Sequence, residues 1–431
     1  MSNSRRDSNL PNELYGKTLM EYLQNNLEKP LDNYELKYGY GSCKGDNYLG
    51  IIYRVEVIDI EENKTVTSLI IKLSPENKSR RSITDTHTCF LREINFYEHI
   101  YPIYEKFQKD KGIDVEKDGF HHAPHCFKTL AEEPYEGLYF EDLKANGFEM
   151  FDRLKEVTKE HVLLVMQTLA KMHAIFFCIK DQNPKEIEPY QNVSDHFVKQ
   201  CEQENSPVRA WFESCKQQAL EMINKKECND VTEKIKSIYK DELYNLYKEC
   251  INIDDSEPYA VLCHGDCWNN NIMYHNENGV PTDLRLLDFQ IMRHASPVTD
   301  LMYYIFSNTS KALRDKFYQE FLDTYYSSLS SFIIRLGSDP NKLYPHEIFN
   351  DHLKKFGKFG LYISTIVLPI FTTDVNDMPD MDEVSEKLVK SRSTGEEFEP
   401  SVTNYTSSKT YDAYSERMMD VCVDMYNLGY I

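Results

Sequence analysis

The stretch "AVLCHGDCWNNNIMYH", residues 260–275, groups His264, Asp266 and three consecutive asparagines, 269–271, directly behind a short apolar run. A buried amide or carboxylate without a hydrogen-bond partner costs about 1–3 kcal/mol. So many polar groups at the end of a predicted buried strand therefore indicate a ligand, an ion or a tight local network.

A second apolar run, "LRLLDF", carries an aspartate that complements the first stretch. Asn271 follows Asp266 by five positions, and Asp288 follows Asp266 by 22. Carboxylate and amide oxygens on two neighbouring strand ends are hard ligands that suit magnesium. The spacing matches the phosphotransfer pattern H-x-D-x-x-x-x-N followed by D-F, in which the first aspartate accepts or orients the acceptor hydroxyl. We therefore predict Asp266 as the catalytic base, and Asn271 and Asp288 as metal ligands.

Two charged residues upstream fit the same chemistry. Lys72 lies in the apolar strand pattern "LIIKL", where a lysine is costly unless its ammonium meets an anion. Glu93 follows 21 positions later on a predicted helix and is placed to orient Lys72 toward nucleotide phosphates. The alternatives are that Lys72 reaches solvent, that Glu93 is a solvated helix residue, or that Glu98 is the partner instead.

A glycine-rich segment, "GYGSCKGDNYLG", precedes these two residues and contains Gly39, Gly41 and Gly45. Backbone amides of such a loop can cover a triphosphate, although the glycines are as well explained by turns alone. We predict that Gly41 and Gly45 contact the nucleotide.

Composition excludes several classes of protein. The 431 residues carry a formal charge of −21 and no basic block of the kind that follows a phosphate backbone, so a nucleic-acid-binding protein is not expected. Eleven cysteines are scattered singly, which favours reduced thiols. No signal segment or membrane span is evident, and we expect a cytoplasmic monomer without membrane contact.

The hydrophobic patterns predict three parts and an α+β fold. Residues 1–30 hold a helical extension, residues 31–143 form a small β-rich lobe with one amphipathic helix, and residues 144–431 form a larger, mainly helical lobe. The acidic segment 374–400 is predicted as a loop, either a lid or a solvated surface. "GLYISTIVLPIF" is predicted as a core helix, in which Tyr362, Ile366 and Phe371 alternatively line an apolar acceptor pocket.

Several stretches together resemble one family. "IIKLSP", "FLREINFYEHIYP", "YFEDL", "LAKMHA", "VLCHGDCWNNNIMYH" and "LRLLDFQIMRHASPVTDLMYYIF" are similar to the ecdysteroid kinase-like family of insect proteins, within the wider group of aminoglycoside phosphotransferases and choline kinases. The resemblance implies a two-lobed protein-kinase-like fold, ATP and Mg²⁺ as cofactors, and transfer of phosphate to a hydroxyl of a small molecule. An ecdysteroid is the implied acceptor.

The same resemblance implies roles for two further residues and shows one departure. Glu141 belongs to the hinge whose backbone contacts adenine, and Asp300 resembles the aspartate that supports the catalytic loop. Gln290 stands where protein kinases have the glycine of D-F-G.

Structural explanations and alternative functions remain possible for this sequence. His264 is predicted to be structural, Trp268 to be core, and a zinc site from Cys263, His264, Cys267 and His275 is disfavoured by the cysteine spacing. The alternative functions are a detoxification kinase for dietary or xenobiotic alcohols and a non-catalytic steroid-binding protein with this fold.

Overall fold

A five-stranded antiparallel sheet forms the first lobe, and a larger bundle of helices with two small ladders forms the second. The structure is a computed structural model, and it describes residues 10–41, 50–152, 155–373, 380–394 and 410–431. The predicted α+β class, with a small β-rich lobe before a larger helical lobe, is confirmed. The predicted boundaries at residues 30 and 143 stay predictions.

The first lobe consists of α1 Glu13–Asn26, β1 Tyr34–Tyr40, β2 Ile51–Asp59, β3 Lys64–Leu73, α2 Lys78–Thr84, α3 Thr86–Asn95, α4 Tyr101–Asp110, α5 Val115–Asp118, β4 Cys126–Leu130 and β5 Gly137–Glu141. Its strand order is β1-β2-β3-β5-β4. A turn at residues 60–63 joins β2 to β3.

The alternation of side chains along β3 decides where Lys72 lies. Leu69, Ile71 and Leu73 pack with α1 on one face of the sheet, where Leu19 is also fully buried. Because neighbouring residues of a strand point to opposite faces, Lys72 lies on the other face, toward the second lobe.

The helix that carries Glu93 is continuous with the next one. A π-helical turn, Phe96–Ile100, connects α3 to α4. Phe90 and Ile94 are buried, and Glu93 is itself only 1% exposed. The apolar stripe of α3 thus anchors the helix, while Glu93 enters the space between the lobes.

The second lobe consists of β6 Phe148–Met150, α6 Lys159–Gln182, α7 Pro184–Ile187, α8 His196–Cys201, α9 Pro207–Asn224, α10 Asp230–Ile238, α11 Leu243–Cys250, α12 Ile253–Ser256, β7 Val261–Cys263, β8 Ile272–Glu277, β9 Val280–Leu286, β10 Arg293–Ala295, α13 Val298–Asn308, α14 Lys311–Arg335, α15 Pro340–Leu343, α16 His346–Phe356, α17 Phe359–Phe371, α18 Met381–Thr394 and α19 Tyr411–Asn427. Strand β7 pairs with β10, and β8 lies between β6 and β9. Helix α6 is long and apolar enough to cross a membrane, yet 78% of its most apolar window is buried inside the protein, as in a core helix.

The acidic segment 374–400 contains a helix, so its prediction as a loop is wrong for residues 381–394. Val384 and Leu388 of α18 are buried, and the helix packs against α2 of the first lobe. Glu386 accepts a hydrogen bond from Asn77 at 2.9 Å across this contact. The apolar residues Met381, Val384 and Leu388 have helical spacing, but the surrounding charges dilute that signal. Residues 374–379 and 395–400 lie outside the described residues.

One glycine allows the turn after β7. Gly265 has φ +87°, and a Cβ at this position would lie 2.2 Å from the Ile291 carbonyl oxygen. An L-residue is therefore disfavoured here by its backbone conformation and by a steric clash.

We expect Gly265→Ala to lower the free energy of unfolding by about 3 kcal/mol, the sum of left-handed strain and overpacking. Gly279 is the matched control, because its φ is +81° and no atom lies within 4 Å of the added Cβ. Gly279→Ala is expected to cost about 1 kcal/mol. Urea denaturation measures both, and equal losses would show that the Ile291 contact is unimportant.

Candidate active site

Asp266, Asn271 and Asp288 meet where the loops after β7 and β9 face each other. Both carboxylate oxygens of Asp266 are hydrogen-bonded: Oδ1 accepts from the Tyr303 hydroxyl at 2.6 Å, and Oδ2 accepts from Asn271 Nδ2 at 2.8 Å. The Asn271 amide nitrogen also donates to the Asp266 carbonyl oxygen at 3.0 Å. The orientation of Asp266 is thus determined from both sides.

Asp300, at the first turn of α13, holds the turn that carries Asp266. Its carboxylate accepts from the backbone N–H groups of His264, at 2.7 Å, and Gly265, at 3.0 Å. His173 Nε2 donates to the same carboxylate at 3.2 Å, and the other ring nitrogen of His173 contacts the Tyr325 hydroxyl. Asp300 therefore supports the loop, as the resemblance implies.

His264 is structural, as predicted. Its Nδ1 accepts from the Asp266 backbone N–H at 3.2 Å, and its Nε2 donates to the Leu287 carbonyl at 3.0 Å. Burial lowers the pKa of His264, which keeps the ring neutral. The suspected zinc ligands do not converge, since Cys263 donates to backbone carbonyls of β10 and the following residue while His275 lies beside Thr282.

Lys72 joins the two lobes through two carboxylates. Its Nζ lies 2.6 Å from Glu93 Oε2 and 2.5 Å from Asp288 Oδ1. Lys72 is only 4% exposed, so it does not reach solvent. Glu98, the alternative partner, bonds Thr129 instead.

Burial dominates the electrostatics of this site. It raises the pKa of Glu93, and the neighbouring Asp288 charge adds to the effect while Lys72 opposes it. Burial by itself would lower the pKa of Lys72, but the two carboxylates outweigh it and the pKa is raised. Burial also raises the pKa of Asp266 to about 6, although the Tyr303 hydrogen bond lowers it.

Asp288 adopts an unusual backbone conformation, φ +68° and ψ +63°. Strain of this kind in a residue other than glycine is typical of functional sites. Gln290 Nε2 donates to Asp288 Oδ2 at 2.9 Å, so both carboxylate oxygens have partners. The chain thus holds Asp288 between Lys72 and Gln290.

A cavity of about 480 Å³, here the hinge cavity, lies between the sheet and the second lobe. Its lining includes Gly41, Lys72, Glu93, Glu141 to Lys144, Asn271 and Asp288. The Glu141 N–H donates to the His125 carbonyl, and the Gly41 N–H donates to the Ile52 carbonyl, so neither amide is free. Gly45 lies outside the described residues, and the nucleotide contacts predicted for Glu141 and the glycines stay predictions.

A second cavity of about 220 Å³, here the apolar cavity, lies on the other side of Asp288. Its apolar lining residues are Ile83, Phe197, Pro207, Val208, Trp211, Trp268, Ile291, Val367, Ile370, Phe371, Met381, Val384 and Leu388, and its polar ones are Thr84, His196, Asp266, Asn271, Asp288, Gln290 and Tyr303. Phe371 lines it, as the sequence suggested. Tyr362 and Ile366 are core residues, as first predicted for this helix, and the alternative that they line a pocket is wrong.

Trp268 is buried as predicted, but it also forms a wall of the apolar cavity. Its ring stacks on Phe371 with centroids 3.8 Å apart. Phe371 is the last residue of α17 and lines the cavity, while Tyr362 and Ile366 belong to the hydrophobic core.

Three contributors were missed by sequence reasoning. Tyr303 lies in a fully buried apolar helix, so nothing in its local pattern distinguishes it from core. Arg293 is 1% exposed and donates to the Gly265 carbonyl at 3.1 Å. Asp142, next to the predicted hinge, accepts from Arg54 at 2.6 Å, and its position after "FE" was the one available signal.

Comparison with protein-family models finds a match over residues 44–338, to the ecdysteroid kinase-like family. The chain belongs to the ecdysteroid kinase-like family. This membership and the arrangement of the two lobes establish the protein-kinase-like fold, and they make the chain a relative of small-molecule kinases. A search of curated proteins finds no match.

Solved structures with similar architecture share little sequence with this family member. Plasmodium vivax ethanolamine kinase is 12% identical with a TM-score of 0.44, covering 99% of this chain and 92% of that one. A putative fructosamine-3-kinase from Haemophilus somnus is 12% identical with a TM-score of 0.37, covering 87% and 96%. The GDP complex of aminoglycoside 2'-phosphotransferase-IIIa is 8% identical with a TM-score of 0.39, covering 96% and 99%.

Lys72→Met leaves Glu93 and Asp288 facing each other in a buried site, and we expect a loss of about 3–5 kcal/mol in stability. A buried carboxyl whose folded-state pKa is raised destabilises the protein as pH rises through that pKa. The difference in melting temperature from wild type should therefore be larger at pH 8 than at pH 5.

The double variant Lys72→Met/Glu93→Gln tests whether the stability loss comes from repulsion between the two buried carboxylates. It removes one of the two carboxylates, so part of the stability lost at pH 8 should return. A loss that is equal at both pH values and is not relieved in the double variant would contradict this account.

Proposed function

We propose that this protein transfers the γ-phosphoryl group of ATP to a hydroxyl group of a small apolar molecule, with Mg²⁺ as the cofactor. The observation that carries the proposal is the meeting of the hinge cavity and the apolar cavity at Asn271 and Asp288, which line both. Lys72 lies on the hinge side and Asp266 on the apolar side. A phosphate donor and an alcohol in the two cavities would thus face each other across these residues.

The donor atoms at this junction fit magnesium. Asn271 uses its amide nitrogen for Asp266, which leaves its amide oxygen, and Asp288 supplies carboxylate oxygens. Such hard oxygen donors suit the ion, and Asn271 and Asp288 would hold it. When bound with the nucleotide, magnesium supplies charge neutralisation at the phosphoryl group being transferred.

Lys72 and Glu93 position the donor. The ammonium of Lys72 is buried and already held by Glu93 at 2.6 Å, so it needs little reorganisation to meet phosphate oxygens. Exchange of the Asp288 contact for a phosphate contact would leave Asp288 to the cation. This ordering of charges stabilises negative charge where the transfer occurs.

Asp266 is the proposed base. A carboxylate with a pKa of about 6 is ionised at neutral pH and remains basic enough to accept the hydroxyl proton as the new phosphate ester bond forms. Tyr303 and Asn271 fix the orientation of the Asp266 carboxylate. A fixed carboxylate would hold the acceptor hydroxyl in one orientation, which reduces the entropy cost of the transfer.

The acceptor we propose first is an ecdysteroid, because the family is described as ecdysteroid kinase-like and the lining of the apolar cavity suits a hydrocarbon body. The cavity volume of about 220 Å³ holds only part of a steroid unless α18 shifts. This volume favours a smaller dietary or xenobiotic alcohol as the second candidate.

All ten cysteines among the described residues are free thiols, which agrees with the cytoplasmic location that we propose.

Incubation with ATP, Mg²⁺ and 20-hydroxyecdysone should give a phosphate ester detectable by mass spectrometry. Asp266→Asn should reduce kcat by on the order of 100-fold or more, because the amide cannot accept the proton. A panel of smaller alcohols in the same assay distinguishes the second candidate. Binding of the steroid without product, unchanged in Asp266→Asn, would instead support a sequestering protein.

Activity should fall about tenfold per pH unit below pH 6, because Asp266 must be ionised to act. Tyr303→Phe removes a hydrogen bond that favours the ionised form, so the acid limb of the kcat profile should move to higher pH. Tyr304→Phe is the matched control, since Tyr304 contacts Tyr274 rather than Asp266. Identical profiles for the three proteins would show that Tyr303 does not position the base.

A further inference from the structure

A third cavity of about 380 Å³, here the polar cavity, lies next to the apolar cavity. Its lining comes mainly from the end of α13, the first turn of α14 and one side of α19. Trp268 and Phe371 line both cavities, and their rings stack in parallel with centroids 3.8 Å apart. This pair of rings therefore forms a wall between an apolar space and a polar one.

The apolar cavity alone is small for the acceptor proposed first. Pockets that enclose a drug-sized molecule measure about 300–1,000 Å³, and the apolar cavity measures about 220 Å³. Displacement of α18 would enlarge it, but would expose Val384 and Leu388 and separate Glu386 from Asn77. Rotation of Phe371 moves one side chain at the end of α17, and it joins the apolar cavity to the polar cavity. The second change disturbs fewer contacts.

Arg417 is the cation of the polar cavity that lacks a carboxylate partner among the described residues. Its Nη2 donates to the Ser307 carbonyl oxygen at 2.5 Å. Its Nε and Nη1 have accessible surface and no hydrogen-bond partner in the part of the chain that the structure describes. The other cations of the lining have carboxylate partners: Lys155 has Asp152, and Lys311 and Arg314 share Asp424. The unused N–H groups of Arg417 thus require oxygen atoms of a ligand.

The charges of the polar cavity favour a neutral, hydroxylated group over an ion. Burial and the neighbouring Arg314 lower the pKa of Arg417 to about 10, and Glu156 and Asp420 oppose this effect. Together with Glu416, these two carboxylates line the same cavity and would repel an anion. A guanidinium only donates and a carboxylate only accepts, whereas a hydroxyl group does both. Hydroxyl groups can therefore bond to both kinds of side chain.

We propose that the polar cavity is the distal part of the acceptor site and that Arg417 is its specificity-determining residue. This inference rests on the proposed function, since it takes the apolar cavity as the acceptor side of the cleft. The reacting hydroxyl lies beside Asp266, and the hydrocarbon body passes the rotated ring of Phe371. Arg417 then donates to a hydroxyl at the far end. The ligand class is a neutral molecule with an apolar body and hydroxyl groups at both ends.

Two probe ligands of different length test the proposal. 20-Hydroxyecdysone has hydroxyl groups at both ends of a steroid body, while geraniol is a smaller alcohol with a single hydroxyl. Each is titrated into the full-length protein without nucleotide. The emission of Trp211 and Trp268, the two tryptophans of the chain, reports binding because both line the apolar cavity.

Arg417→Leu should raise the dissociation constant for 20-hydroxyecdysone about tenfold, the effect of a hydrogen bond to a charged group. The value for geraniol should not change, because this ligand does not reach the polar cavity. Lys225→Met is the control variant. It removes another cation that contacts α19, through the Tyr411 hydroxyl at 3.1 Å, but Lys225 lines neither cavity.

Two further variants test the space and the wall. Ala413 is exposed and lines the polar cavity, so Ala413→Phe fills space there without removing Arg417 and should weaken only 20-hydroxyecdysone. This variant carries the test if thermal melting shows that Arg417→Leu is not folded. Phe371→Leu removes the stacked ring, and the dissociation constant for 20-hydroxyecdysone relative to that for geraniol should fall about threefold.

The outcomes separate this inference from the proposed function. The expected binding pattern without phosphate transfer would refute the transferase and leave the extended site established. Phosphate transfer with equal effects of Ala413→Phe on both ligands, or with no effect on either, would overturn the inference and leave the transferase. Failure of the wild-type protein to bind 20-hydroxyecdysone would also overturn the inference.

Discussion

The ammonium of Lys72 lies between carboxylates of both lobes, 2.6 Å from Glu93 and 2.5 Å from Asp288. No one of these three charges is stable alone in so buried a site, because the desolvation cost of a single ion is several kcal/mol. The sheet, helix α3 and the loop after β9 must therefore approach each other in one arrangement. The rest of the cleft is organised around this contact.

A second set of contacts gives the turn that carries Asp266 its shape. The Asp300 carboxylate accepts hydrogen bonds from the backbone N–H groups of His264 and Gly265. Arg293 donates a hydrogen bond to the carbonyl oxygen of Gly265. Donors and acceptors of one tight turn are thus satisfied by side chains rather than by water. Gly265 allows the positive φ angle that this turn requires. The carboxylate of the next residue, Asp266, accepts hydrogen bonds from Tyr303 and Asn271.

The two cavities differ in chemistry and share a boundary. The lining of the hinge cavity includes Lys72, Glu93 and Asp288, while thirteen of the twenty residues that line the apolar cavity are apolar. Such a division suits a reaction in which a charged donor and an apolar acceptor meet at a narrow junction. Helix α18 lines part of the apolar cavity and also packs against α2, so the size of this cavity is linked to the position of the first lobe.

The sequence alone determined the order of the parts. The β-rich apolar run around Lys72 predicted β3 and the burial of this lysine. Spacing along two further apolar runs predicted that Asp266, Asn271 and Asp288 meet, because strand ends and short loops leave these side chains little freedom. Only the tertiary structure decided which partners complete them. Tyr303 and Arg293 lie 37 and 27 positions from Asp266 in patterns that are typical of ordinary core, and helix α18 packs against α2 of the first lobe. Contacts of such sequence separation depend on packing between helices, which local periodicity does not encode.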